Sequence, residues 1–372
     1  MPILTTHNLS TGYRHGSAVT SVMSHINVAL HRGCLTALLG QNGIGKSTLL
    51  RTIAGSQPPI EGSVMLDGRD ISGISRRELS RLLSMVFTDR TMAGGLTVRE
   101  LVSLGRQPHT GFLGRLSSHD RRVVQQAIES VAIAHKTDAF VAELSDGERQ
   151  KVMIAKALAQ ETPLIILDEP TAFLDVASRI DSLQLLSRLA HTTGKAILLS
   201  THDVSQTLLL ADELWVVTGN RSLLCGVTED VVLSGAMQQM FASEKVKFNM
   251  LKGDYEVAVP TRGAVKLHCT DHTLSYWLRN ALSRNGITIV PDEPDALHTA
   301  AMATITATSP NEITVGDTQA TSVAQMLATL TSHLSGGHPT SLTSYPLPLT
   351  FKKYGNYNQR LHAQAAQLSR SG

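Results

Sequence analysis

The stretch Gly40-Gln41-Asn42-Gly43-Ile44-Gly45-Lys46-Ser47-Thr48 follows the pattern G-x-x-x-x-G-K-[ST], a spacing suited to holding a polyphosphate. Its glycines let successive backbone N–H groups turn inward around an anion, and a helix opening at Lys46 aims its positive end at the same place. Lys46 would then reach the outer phosphates, and the Ser47 hydroxyl would help hold Mg²⁺. Asp168 and Glu169 follow the apolar run Leu164-Ile165-Ile166-Leu167, which reads as a buried parallel strand. Ligands collect at that end of such a strand, and adjacent carboxylates there can divide the work. Asp168 is suited to hold Mg²⁺ through water, and Glu169 to polarise the water that attacks a γ-phosphate. His202 ends a neighbouring apolar run, Ala196-Ile197-Leu198-Leu199, followed by Ser200-Thr201. A histidine there is either structural or placed to touch the terminal phosphate.

A second anion site is signalled by Leu144-Ser145-Asp146-Gly147-Glu148-Arg149-Gln150. Ser145 and Glu148 have the S-x-x-E spacing of a capping box, and a helix start carrying a serine and a glycine also suits a phosphate. Tyr13, beside a turn signal, either packs locally or stacks on an adenine ring.

These groups need a scaffold. Residues 35–39 read as the strand feeding the glycine-rich loop, with a helix over 46–54 stopped at Gly55. Residues 4–30 read as short antiparallel strands with turns at Thr11-Gly12 and His15-Gly16, and 61–68 as a hairpin. The region 74–142 reads as a helical insert, and 177–190 as a further helix. Beyond residue 260 the pattern changes to a small α+β domain, with strands over 264–268, 287–290, 301–306 and 312–315 and helices over 272–283 and 322–333. Leu274, Trp277, Leu278 and Leu282 are expected on one face of the first helix. His268, Cys269 and His272 lie close enough to raise a metal site, but no fourth ligand accompanies them. The domain's place in the chain suits a regulatory or dimer-contact role. Residues 336–348 read as linker, and 359–368 as a short helix.

The 372 residues suffice for two packed units. A net charge of +2 without a lysine-rich tract gives no reason to expect nucleic acid as a partner. Cys34, Cys225 and Cys269 are too scattered for a disulfide framework and suggest reduced thiols. No stretch is apolar for long enough to span a bilayer, and the start lacks a signal-peptide layout.

Taken in order, these pieces resemble the nucleotide-binding subunit of ATP-binding cassette transporters, over about residues 4–260. The resemblance implies an α/β P-loop NTPase cassette at 1–260, made of a RecA-like core, an antiparallel β subdomain and a helical subdomain. The small α+β domain at 261–335 and a linker-like tail at 336–372 would follow it. It implies ATP and Mg²⁺ as ligands and a homodimer sandwiching two ATP molecules. Each would lie between the phosphate loop of one copy and the 144–148 signature of the other, with Ser145 and Gly147 facing the γ-phosphate and Phe173-Leu174-Asp175 at the seam. Tyr13 falls at the adenine-stacking aromatic.

One position departs from the family. Thr88, followed by Asp89, stands where a glutamine usually touches Mg²⁺, so a water-bridged hydroxyl or the Asp89 carboxylate would serve the metal side instead. The wording of 96–102, 105–111 and 148–153 is similar to ATPases of importers for iron-siderophore complexes, haem and cobalamin. That implies an ATP-hydrolysing subunit on the cytoplasmic face of the inner membrane, bound to transmembrane permease subunits and served indirectly by an extracytoplasmic substrate-binding protein. Arg76, Arg77, Arg90, Arg106 and Arg115 would then be available to dock a membrane subunit or anionic lipid. The rivals explain less. A soluble cassette ATPase working on ribosomes or DNA would carry a second cassette or sustained heptads, and a small-molecule kinase would leave 144–150 without a use.

Overall fold

The structure, a computed structural model, describes residues 2–16, 18–87, 95–111, 114–241, 243, 245–291 and 301–334. The chain divides into two compact units, Met1–Val257 and the part from Ala258 onward.

In the first unit, β1 (Pro2–His15) turns back through β2 (Ala18–Ile26) and β3 (Ala29–His31), both antiparallel to it. The chain then passes through β4 (Leu35–Leu39) and α1 (Lys46–Ile53). β5 (Glu61–Leu66) next rejoins β1, and β6 (Arg69–Asp70) closes a hairpin. Asp67 and Gly68 both take positive φ, 50° and 77°, as a two-residue hairpin turn requires. The turn expected at Thr11-Gly12 is instead a β-bulge within one long strand. β1 runs on through it still paired with β2, while its pairing with β5 ends at Ser10, and the slip in register lets a single strand serve both.

The rest of the unit adds α2 (Arg76–Leu82), β7 (Leu83–Val86), α3 (Val98–Ser103), α4 (Ser118–Ser130) and α5 (Asp146–Ala159). Then come β8 (Leu164–Asp168), α6 (Val176–Thr193), β9 (Ala196–Thr201), α7 (Val204–Leu210), β10 (Glu213–Val217) and β11 (Leu223–Val227). Six strands form one sheet in the order β11-β10-β4-β9-β8-β7, parallel except for β11. Period-two alternation divides its side chains between two cores. Ala37, Ile165, Leu167, Ile197, Leu199, Leu214 and Val216 face the helices α3 to α6, whereas Leu38, Leu164, Ile166, Leu198, Trp215 and Val217 face α1 and the antiparallel sheet. With both faces covered, β8 and β9 read as unbroken apolar runs.

The region 74–142 is not purely helical. β7 interrupts it and pairs with β8 at the sheet edge, a run of four residues too short for helical and strand periods to be told apart. Thr97, Ser117 and Ser145 open α3, α4 and α5 with complete capping boxes. Residues 204–257, unassigned by residue pattern beyond the cassette resemblance, supply α7, β10 and β11. They also supply α8 (Thr228–Leu233), α9 (Ala236–Gln239) and the hairpin β12 (Val246–Asn249) and β13 (Asp254–Val257). Tyr255 packs edge-on against Phe241 with ring centroids 4.6 Å apart, and burial pushes its phenol pKa up.

Arg106 corrects an expectation. It is 2% exposed, so it is not available to a membrane subunit or lipid. Its guanidinium donates to Asp120 at 2.9 Å, to Glu161 at 2.6 Å and to the Ala159 carbonyl at 2.7 Å, tying α4 to the end of α5. Hydrogen bonds from Ser117, with help from Arg106, hold the Asp120 carboxyl down at about 2. Arg106→Ala, which leaves the buried Asp120 carboxylate without its cation, should lower unfolding free energy by about 3–5 kcal/mol in urea titrations. A loss under about 1 kcal/mol would contradict this account of the network. Arg76, Arg77 and Arg115 are exposed, and Arg90 lies outside the described residues.

The second unit contains β14 (Gly263–Cys269), α10 (His272–Arg284), β15 (Ile287–Ile289), β16 (Ala303–Ser309), β17 (Glu312–Val315), β18 (Thr318–Ala320) and α11 (Val323–Leu334). Its sheet runs β15-β14-β16-β17-β18, parallel around β14 and antiparallel beyond β16. Leu274, Leu278, Leu282, Met326 and Leu330 pack with Val265, Ile305 and Ile313 in its core. Trp277 does not join them. It is 62% exposed and meets Tyr276 edge-on, because the buried stripe runs through 274, 278, 281 and 282 and position 277 lies at its margin. Cys34, Cys225 and Cys269 are free thiols, and among the described residues no three His, Cys, Asp or Glu side chains cluster to hold a metal. The expected linker at 336–348 and helix at 359–368 lie outside the described residues.

Candidate functional site

β4 delivers Gly40 at its C-terminal end, and the loop through Gly45 is forced into a conformation that ordinary residues resist. Gly43 has φ 74° and Gly45 φ 121°, and a side chain on Gly45 would collide with Val22. Gln41 anchors the loop by donating to the Met240 carbonyl at 2.9 Å, while Asn42 and Gly43 stay exposed. Ile44 is half-buried against the second core. No side chain caps α1, so the backbone N–H groups of its first turn are left for an anion. Lys46 curls over the loop. Its Nζ donates to the carbonyls of Gly40 at 2.8 Å and Gln41 at 3.3 Å and lies 3.6 Å from Glu169 Oε1. Burial pushes the Lys46 ammonium below its ordinary 10.5, against the opposing charges of Glu169 and Asp168. Ser47 and Thr48 sit in the first turn of α1, Ser47 half-buried. The Tyr13 hydroxyl pairs with the Thr48 hydroxyl at 2.9 Å, which fixes a 42% exposed ring beside the loop.

The parallel sheet brings the acids to the same edge. Asp168 ends β8 and is buried, and Glu169, just beyond, has φ 47°, a left-handed conformation rare for a residue with a side chain. That turn points its carboxylate between Lys46 and His202, with Oε1 3.6 Å from Lys46 Nζ and Oε2 3.8 Å from His202 Nδ1. Lys46, Ser47, Asp168, Glu169, His202 and Tyr13 are thus gathered at the C-terminal ends of β4, β8 and β9. The donor set suits Mg²⁺. A hydroxyl and a buried carboxylate are hard oxygen ligands, and without an all-protein cage such an ion keeps waters and phosphate oxygens in its shell.

Sequence reasoning missed two residues that hold this edge. Ser200 Oγ donates to Asp168 Oδ1 at 2.7 Å and accepts from Glu169 N–H at 2.9 Å. Arg179 donates to Asp203 at 3.0 Å and to the Leu174 carbonyl at 3.0 Å, linking the segment before α6 to the loop that carries His202. Neither belongs to a spacing pattern. Only the Ser200-Thr201-His202-Asp203 run hinted at the first.

Ser145 and Gly147 are positioned by α5 instead. Ser145 Oγ accepts from Glu148 N–H at 3.3 Å, while the Glu148 carboxylate accepts from Ser145 N–H at 2.9 Å and from Ser145 Oγ at 3.0 Å, and the two bonds to the carboxylate hold the Glu148 pKa down. Gly147 has a packing reason to be glycine, since a Cβ there would stand 3.0 Å from Ser178 Oγ on α6. Asp175 caps α6 and Phe173 is 59% exposed. Thr88 and Asp89 lie outside the described residues, immediately after the exposed Phe87. No helix among the described residues is long and apolar enough to cross a membrane.

A family model described as ABC transporter matches residues 23–172. The chain is 35% identical over 241 residues to the iron(3+)-hydroxamate import ATP-binding protein FhuC of Bacillus subtilis, covering 65% of this chain and 88% of that one. It is also 35% identical over 231 residues to the cobalamin import ATP-binding protein BtuD of Halobacterium salinarum, covering 62% and 58%. Among solved structures it is similar to an inward-facing ABC transporter of inferred metal-chelate type, at TM-score 0.56 and 27% identity over 69% of this chain and 96% of that one. It is likewise similar to a dimeric bacterial ABC transporter cassette, at TM-score 0.50 and 26% identity over 57% and 93%. With the phosphate loop, the paired acids and the helix-opening serine arranged on this sheet, the chain belongs to the ABC transporter family, as an ATP-binding and ATP-hydrolysing subunit that energises transport.

Proposed function

We propose that two copies of this chain close on two ATP molecules and reopen on hydrolysis, each cycle pulling on transmembrane permease subunits at the cytoplasmic face of the membrane. Gly40 to Thr48 cradle the phosphates, Lys46 neutralises the outer two, and Tyr13 stacks on the adenine. Ser47 and Asp168 would hold Mg²⁺ together with Thr88 or Asp89, and the ion would neutralise charge that develops between the phosphates. Glu169 takes the proton of the attacking water, and His202 contacts the γ-phosphate and registers its departure. Ser145 and Gly147 of the second copy close the site from the other side. The observation that carries this reading is the placement of Glu169 between Lys46 and His202, 3.6 and 3.8 Å away, at the mouth of the phosphate loop.

The cargo we propose is an iron-siderophore complex, drawn from the iron-hydroxamate import relative, delivered to the permease by an extracytoplasmic binding protein. The cobalamin import relative makes cobalamin the second candidate. The test is uptake of ferric siderophore, haem and cobalamin in a strain lacking this chain. Restoration of ferric siderophore uptake by the parent chain, and not by Glu169→Gln, is expected. Recovery of none of the three would contradict an import role.

A further inference from the structure

Ser200 is fully buried near the end of β9, and parallel pairing sets it opposite Asp168. From there its single oxygen serves two acids that are adjacent in sequence and differ in what must be held. The donated bond at 2.7 Å fixes a carboxylate oxygen of Asp168, and the accepted bond at 2.9 Å holds the backbone N–H of Glu169. Glu169 departs from strand geometry at φ 47°, a conformation that persists only when its surroundings determine it. A hydroxyl can donate and accept through one atom, whereas a methyl does neither and a thiol does both weakly.

We infer that Ser200 is a positioning residue for ATP hydrolysis. It orients the Asp168 carboxylate for the metal side of the site, and it locks the backbone turn that presents Glu169 between Lys46 and His202. The inference rests on the roles proposed above for Asp168 and Glu169. It separates Ser200 from other buried hydroxyls of this sheet such as Ser84, which lies opposite Ile165 of β8 and accepts from the Thr162 hydroxyl at 3.0 Å.

The experiment uses the full chain with Ser200→Ala, Ser200→Cys and Ser200→Thr, and Ser84→Ala as a buried-hydroxyl control. Mn²⁺ retained with a non-hydrolysable ATP analogue is counted by electron paramagnetic resonance, and kcat and KM for ATP are measured separately. Ser200→Ala and Ser200→Cys should raise the Mn²⁺ dissociation constant about 10-fold and lower kcat about 10- to 100-fold, with KM for ATP little changed. Ser200→Thr, which keeps the hydroxyl, should stay near the parent, and Ser84→Ala should move neither readout. Parental Mn²⁺ retention and kcat in Ser200→Ala would overturn the inference, as would failure of both the Ala and Cys variants to fold, which would make the residue structural. Asp168→Asn and Glu169→Gln run alongside. If they hydrolyse like the parent, the reading of the two acids falls; if they fail while Ser200→Ala does not, only the role of Ser200 falls.

Discussion

Glu169→Gln binds ATP as the parent does and hydrolyses it about 10²- to 10⁴-fold more slowly, as expected when a positioned base is removed without disturbing its surroundings. The amide has the shape of the carboxylate, so the backbone turn held by Ser200 survives and only the proton acceptor is lost. A second consequence concerns Lys46. Burial lowers its pKa, and the charge and hydrogen bonding of Glu169 oppose that. Because ATP prefers the ammonium, affinity is full below the Lys46 pKa of the free protein and falls as pH rises through it. Removing the Glu169 charge lowers that pKa further, so the alkaline limb of ATP binding in Glu169→Gln should move to lower pH. Titrations with a fluorescent nucleotide at alkaline pH read this directly, and coincident limbs would show that the two side chains are not coupled.

Lys46→Ala should abolish hydrolysis and weaken ATP binding about 10²-fold, roughly the 3 kcal/mol of a desolvated charge pair. Lys46 is 5% exposed and has no room to be replaced by a neighbour. It also ties the carbonyls of Gly40 and Gln41, so the variant loses loop order along with charge. Lys46→Arg is not expected to rescue, because a planar fork cannot occupy the enclosed space of a compact ammonium. Nucleotide titration and a coupled phosphate-release assay check both, and retention of parental affinity in Lys46→Ala would contradict the placement of the phosphates.

The parts of the site legible in the sequence are those whose physics is local. The run 35–39 followed by closely spaced glycines, and the run 164–167 followed by two acids, name their own structure because continuous apolar residues demand burial on both faces. The capping spacing of Ser145 and Glu148 is local too. What stayed hidden depends on residues far apart in the chain. β7 is four residues long and becomes a strand only because β8 is there to pair with it. Arg106 reads as surface by its charge and is buried because Asp120 and Glu161 converge on it. Ser200 is an unremarked strand serine until the register of β8 and β9 sets it against Asp168. The bulge at Thr11-Gly12 uses the same residues as a turn and differs in that β1 runs on through it, paired with β2.

The central claim is that a second copy completes the site, with Lys46 of one facing Ser145 and Gly147 of the other across the terminal phosphate. Sedimentation of Glu169→Gln with saturating Mg-ATP, alone and with its permease, tests it most directly. The account predicts a dimer that forms with ATP and dissociates when ATP is replaced by ADP; a species that stays monomeric under both conditions would contradict it.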